Sequence, residues 1–170
     1  MNSSLNHIIL WWKSVKNKEW VIEVVNIVSN QLQLLVEGWH FKHWLENIEF
    51  DFQWEKQRLL DKLRSFENDY VVICKSVGAV LTLAVLEELE HKPIAIYVFG
   101  LPKDQIKNCE QQLNNINKIY KGKLYIYQNS NDPAWSKNEI TTMFPNLAIQ
   151  ELIWDTHDYD INNVVSSLKE

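Results

Sequence analysis

YVVICKSVGAVLTLAVLEE, Tyr70–Glu88, joins two apolar segments of different period across a polar pair. Its first part, Val71-Val72-Ile73, is β-branched and reads as a buried strand. Lys75-Ser76 ends that run, and Gly78 follows two residues later. Val80, Leu83, Ala84 and Leu86 then recur at helical spacing. A serine between a buried strand and a buried helix, with small residues around it, sits on a sharp turn that pushes its hydroxyl outward. That geometry suits a nucleophile, provided a base and a carboxylate stand at the ends of later strands.

The same alternation extends in both directions. His7–Trp12 reads as a first buried strand, 17–30 as a helix with Trp20, Val24, Ile27 and Val28 on one face, and Gln31–Gly38 as a second strand. A polar-aromatic loop, 39–51, precedes a helix over Phe52–Phe66. Beyond the strand Tyr70–Cys74 and the helix from about Val77 to Glu90, Pro93–Phe99 is a fourth strand closed by Gly100-Leu101-Pro102. A polar helix follows from Lys103 to about Asn117. Lys123–Tyr127 is strand five, the loop NSNDP leads to a short helix near Trp135–Met143, and Leu147–Ile153 is strand six. His157 lies in the next loop, before a terminal helix over Asp160–Leu168. Apolar strands alternating with helices demand a parallel sheet covered on both faces. The expectation is one α/β domain over residues 1–170, three-layered, with a mostly parallel six-stranded sheet. No internal repeat, low-complexity tract or linker interrupts it.

Composition narrows the function classes. A chain of 170 residues that is 46% hydrophobic is long enough for one sizeable core. Its longest apolar runs fall far short of a membrane span. The net charge of −5 disfavours nucleic acid, whose phosphates require a basic face. The opening MNSSLN has neither the basic nor the apolar region of a secretory signal, so a cytoplasmic location is expected. Cys74 ends a central strand and Cys109 is placed within a helix, so no disulfide is expected, in keeping with a reducing compartment. His40 and His43 lie three apart but lack a metal-ligand pattern. No cofactor, metal or membrane partner is implied; the expected partner is a small-molecule substrate. Most of the eight tryptophans should be packing, although Trp11, Trp12, Trp39, Trp135 and Trp154 fall at strand ends, where an aromatic rim could form.

In an open parallel sheet the ligand crevice lies beyond the carboxyl ends of the strands. Strand three ends at Ser76, strand five just before Asp132 and strand six just before His157. A hydroxyl, a carboxylate and an imidazole therefore project toward one rim, in the order Ser…Asp…His. Serine is a weak nucleophile at neutral pH and needs a base to take its proton. Histidine is mostly neutral there yet able to accept one. A carboxylate fixes the imidazole tautomer and stabilises the imidazolium formed during attack.

On these residues the chain resembles a small, lid-less member of the α/β-hydrolase superfamily. Cys74-Lys75-Ser76-Val77-Gly78 is similar to the family's G-x-S-x-G elbow, YIYQNSNDPAW to its strand-then-acid segment, and WDTHDYD to its late histidine loop. The likeness runs from about residue 7 to the end, without the two strands that begin larger relatives. It implies a minimal α/β-hydrolase fold and a serine hydrolase cleaving a small ester or amide through an acyl-enzyme. Ser76, Asp132 and His157 would form the triad, and the backbone N–H groups of Val77 and Lys13 the oxyanion hole. Trp12, Gly100 and Trp135 would line the substrate. Two departures stand out: Cys74 replaces the first elbow glycine, and the loop Trp11-Trp12-Lys13-Ser14 has no glycine where relatives carry a His-Gly pair. The short exit VFGLPK leaves no room for a lid and favours small substrates.

Alternatives remain at this level. Ser76 could cap a helix, Asp132 could be a turn residue before Pro133, His157 could be a solvated loop histidine, and Asp155 and Asp158 are rival acids. Lys75 reads as an exposed rim residue. The whole chain could instead be a catalytically weak or inactive binding module on the same fold. A flavodoxin-like domain is less consistent, because no phosphate-cradling glycine loop or acidic cluster is present.

Overall fold

Strand β3, Tyr70–Lys75, is buried at all six positions and lies inside the sheet, which explains its unbroken apolar character. It pairs in parallel with β1, Asn6–Leu10, on one side and with β4, Ala95–Phe99, on the other. The computed structural model describes residues 6–10, 18–32, 35–46, 48–153, 156, 157 and 159. With β2 (Leu35–Gly38), β5 (Lys123–Asn129) and β6 (Ile149–Leu152), the strands hydrogen-bond in the order β2-β1-β3-β4-β5-β6, every pair parallel. The α/β class with a parallel sheet, expected from the alternation, is what the structure shows.

This order positions the site. From β1 the chain passes through α1, Lys18–Leu32, to the outer strand β2. It then crosses back over β1 through α2 (Lys42–Glu46) and α3 (Phe52–Arg64) to β3, and continues outward. The direction reverses between β1 and β3, and crevices for ligands open at such reversals. Right-handed crossovers place α1 on one face of the sheet and α3 and α4, Val77–Val85, on the other. Helix α4 is buried at every position, which only an uncharged helix tolerates, and it packs against α3. Its one hydroxyl, Thr82 Oγ1, is satisfied by donating to the Gly78 carbonyl at 2.8 Å.

Local chemistry explains several boundaries. Asp51 starts α3 by accepting the Trp54 N–H, and Leu59, Leu60 and Leu63 face the core. Helix α7, Lys137–Met143, begins at a reciprocal capping box between Ser136 and Glu139. Phe99 on β4 and Tyr127 on β5 are register partners, stacked at 4.9 Å, and so fix those strand ends side by side.

Four expectations are corrected. Helix α1 runs to Leu32, so strand two begins at Leu35 rather than Gln31. Residues 39–51 contain α2. The single helix expected from Lys103 is a 3-10 turn, Lys103–Asn108, then two short helices, α5 (Glu110–Asn114) and α6 (Ile116–Ile119). Cys109 therefore occupies the junction between the turn and α5 instead of a helix interior. The expected terminal helix, Asp160–Leu168, lies outside the described residues.

Candidate active site

Ser76 occupies the one-residue bend between β3 and α4. Its backbone has φ 53° and ψ −122°, and among the described residues it is the one non-glycine with positive φ. Such a conformation costs about 1–3 kcal/mol and persists only where the surroundings impose it. Here they do: the Ser76 N–H points back at the next strand, reaching the carbonyls of Phe99 (3.1 Å) and Gly100 (2.9 Å). The Ser76 carbonyl accepts from Ala79 and Val80, starting the helix. The hydroxyl makes no capping bond, and Oγ is buried without a hydrogen-bond partner among the described residues. A helix cap requires an extended backbone and a bonded hydroxyl, so the capping alternative is overturned.

Gly100 ends β4 with φ +64°, and it needs to be glycine for a second reason. A β-carbon there would lie 2.6 Å from Tyr159 Cε2 and 3.0 Å from His157 Cε1. The His157 ring thus rests on the same residue whose carbonyl holds the Ser76 backbone. Serine and histidine are neighbours across Gly100, although no hydrogen bond joins the hydroxyl to the imidazole in this state.

Asp132 lies past the end of β5 and is 3% exposed. Its carboxylate takes His157 Nδ1 at 2.8 Å from both oxygens. It also accepts the Ala134 N–H at 2.8 Å, Gln128 Nε2 at 3.0 Å and the Tyr159 hydroxyl at 2.9 Å. Asp132 is therefore a turn residue before Pro133 and the partner of His157 at once. Paired in this way, an Nδ1–H donated to the carboxylate fixes the tautomer that leaves Nε2 as the basic nitrogen. His157 is partly buried against this pair, not a solvated loop residue.

Gln128 and Tyr159 went unread in the sequence. Gln128, fully buried, also donates to the Trp135 carbonyl at 2.6 Å and accepts the Leu101 N–H at 3.0 Å, tying the acid turn to the exit of β4. The available signals were the amide pair Gln128-Asn129 at the carboxyl end of strand five, and a tyrosine two residues after the candidate base. Asn129 Nδ2 donates to the Thr156 carbonyl at 2.6 Å and ties down the histidine loop.

Of the other candidates, Val77 opens α4, where a first-turn N–H has no intrahelical acceptor. Lys13 and Trp12 lie outside the described residues, as do Trp11, Trp154, Asp155 and Asp158. Lys75 is not an exposed rim residue: it is 2% exposed, with Nζ 5.5 Å from the centroid of the Tyr159 ring. Trp135 is also corrected. It is 1% exposed, packs on Phe144, and borders a cavity of about 400 Å³ over α7 that neither Ser76 nor His157 lines. Trp39 is buried beneath the Arg58 guanidinium, so these two tryptophans form no rim. Cys74, behind the elbow, is fully buried, and burial pushes its thiol up to about 12, which removes it as a rival nucleophile.

No protein-family model matches the sequence, and no curated protein matches it. Solved structures do. A lid-less α/β serine hydrolase from Xanthomonas campestris superposes with a TM-score of 0.70 at 12% identity, over 99% of this chain and 82% of that one. An α/β serine hydrolase homologue from Coxiella burnetii gives 0.70 at 13% identity, over 98% and 82%. The esterase domain of a Rhodothermus marinus protein gives 0.64 at 12%, over 97% and 82%. At such identities the likeness concerns architecture, and the architecture of this chain is the α/β-hydrolase fold.

Proposed function

We propose that the protein is a serine hydrolase that cleaves a small ester or amide through an acyl-enzyme, with Ser76 as nucleophile, His157 as base and Asp132 as its partner. The observation that carries this reading is the backbone of Ser76. A strained, uncapped serine between strand and helix has no capping use for its hydroxyl, and a bend of this kind is how a strand-to-helix elbow presents a nucleophile. The Asp132–His157 pair across Gly100 supplies the base.

In the reaction, His157 Nε2 takes the Ser76 proton as Oγ attacks the acyl carbon. The Val77 N–H meets the developing oxyanion at the start of α4, with the Lys13 N–H as the second donor. Collapse of the tetrahedral intermediate passes the proton to the leaving group, and water activated by His157 then releases the acid. Asp132 holds the imidazole throughout. The direct passage from Gly100 through Pro102 into the Lys103 turn leaves the crevice without an inserted lid there, which supports a small substrate. Two buried free thiols suit a reducing cytoplasm. No helix among the described residues is long and apolar enough to cross a membrane.

A fluorophosphonate probe tests the assignment. The wild-type protein should be modified at Ser76, located by peptide mass, and Ser76→Ala should remain unlabelled. One observation favours the alternative of a non-catalytic binding module: Ser76 is completely buried in this state. Turnover of p-nitrophenyl acetate no faster than that of Ser76→Ala would support the binder.

A further inference from the structure

We propose that Tyr159 is a positioning residue for the Asp132–His157 pair, holding the carboxylate by its hydroxyl and the imidazole by its ring. The inference rests on the hydrolase reading above and extends it to a residue outside the triad.

Five contacts carry the argument. The Tyr159 hydroxyl donates to Asp132 Oδ2 at 2.9 Å and accepts the Asn129 N–H at 3.0 Å. That backbone donor belongs to the end of β5, so the hydroxyl is anchored to the sheet before it reaches the acid. Its one proton is committed to the carboxylate because the N–H occupies its acceptor side. The ring, 3% exposed, stands edge-to-face with His157 (6.1 Å, 88°) and with Phe99 (6.0 Å, 67°). It also closes on Gly100, where even a methyl group would clash with it. The imidazole plane is thus set from one edge by Asp132 and from its side by Tyr159. Among the described residues, the titratable or charged groups facing Tyr159 are Asp132 from the β5–α7 loop, His157 from its own segment and Lys75 from β3. The phenol itself stays protonated at any working pH, because burial and the Asp132 charge both push its pKa up.

The geometry has a consequence that a merely structural tyrosine would not have. The Tyr159 O–H and the His157 Nδ1–H share one carboxylate. Removing the O–H leaves more of the negative charge to the imidazolium, while loosening the orientation of both partners. Tyr159→Phe keeps the ring and removes the hydroxyl. Labelling of Ser76 by a fluorophosphonate should slow about 10- to 100-fold, the cost of a small misplacement of a reacting group. The midpoint of the labelling rate against pH should rise by about half a unit, matched by the His157 titration followed by imidazole NMR. Tyr120→Phe is the control. Tyr120 is a second buried tyrosine, donating to the Pro93 carbonyl at 2.9 Å away from the site, and its loss should lower stability while moving neither rate nor midpoint.

Where Tyr159→Phe does not fold, 3-fluorotyrosine at position 159 retains the ring and strengthens the donor, and the His157 midpoint should then fall. A Tyr159→Phe protein with the wild-type rate and midpoint overturns the proposal, as does a fluorotyrosine protein with an unmoved midpoint. Absence of labelling in the wild type instead overturns the hydrolase reading. The imidazole titration then decides this one alone: a moved midpoint supports it and an unmoved midpoint refutes it.

Discussion

Replacing Ser76 by alanine should stabilise the protein. At an ordinary helix start the same change removes a capping hydrogen bond and costs about 0.5–2 kcal/mol. Here the hydroxyl caps nothing and is buried without a partner among the described residues. An unsatisfied buried hydroxyl costs about 1–3 kcal/mol, and removing it forfeits only a few contacts, so Ser76→Ala should gain about 1 kcal/mol. Ser76→Gly adds relief of the positive-φ strain, about 1–3 kcal/mol, offset by about 0.5–1 kcal/mol of extra chain entropy. It should therefore be at least as stable as the alanine variant. Urea titration of the three proteins, with unchanged slope, measures the difference. By heat, each kcal/mol should appear as about 2–4 °C in a domain of this size. A loss of about 1 kcal/mol or more in Ser76→Ala would refute the reasoning, because the hydroxyl would then be bonded in the native state.

The remaining predictions follow from the same contacts. Asp132→Asn keeps the shape but offers Nδ1 an amide that can invert the imidazole tautomer. Fluorophosphonate labelling should fall about 10³- to 10⁴-fold while the fold survives, as judged by circular dichroism. Gly100→Ala forces a β-carbon to 2.6 Å from Tyr159 Cε2 at a φ of +64°. It should cost about 1–3 kcal/mol in urea and slow labelling as well. Alkaline pH should unfold the protein cooperatively. Burial pushes the Cys74 thiol up to about 12 and raises Cys109, Tyr70, Tyr120 and Tyr159 above their ordinary values. Groups with raised pKa contribute fully below their unfolded values, 9.0 for the thiols and 10.0 for the phenols, and lose that contribution as pH climbs toward the folded ones. The urea midpoint should be flat near pH 8 and fall above about pH 9, each group adding up to about 1.4 kcal/mol per pH unit.

Residue type and order carried much of this in the sequence, and side-chain direction did not. Val71-Val72-Ile73 could only be a buried strand, and the period change after Ser76 could only be a helix. The hydroxyl at the bend was readable from those two facts. Helix against strand at Gln31 and Leu32 was not, because leucine and glutamine suit a helix as well as an alternating strand. The Lys75 reading failed for a tertiary reason: Tyr159, distant in the chain, folds its ring over that cation. Gln128 and Tyr159 escaped because their meaning lies in what they reach. An amide at a strand end and a tyrosine in a loop are common, and only coordinates join both to one carboxylate oxygen.

Where local preference and fold conflict is itself informative. Most of the chain is consistent across levels: the apolar strands β3 and β4 buried on both faces, caps at the starts of α3 and α7, an uncharged helix within the core. The departures concentrate around Gly100. Ser76 bends through positive φ beside it, a lysine is buried next to that serine, and a carboxylate is buried within reach of the histidine resting on the glycine. Each is unfavourable for stability taken alone, and each has a use if a proton must travel between a hydroxyl and an imidazole held out of water. A binding module would need the crevice but neither the bent serine nor the neutralising acid behind the histidine. The clustering of these costs at one strand end therefore favours catalysis over binding, and the alanine variant of Ser76, more stable and unreactive, would display both sides of that exchange in one protein.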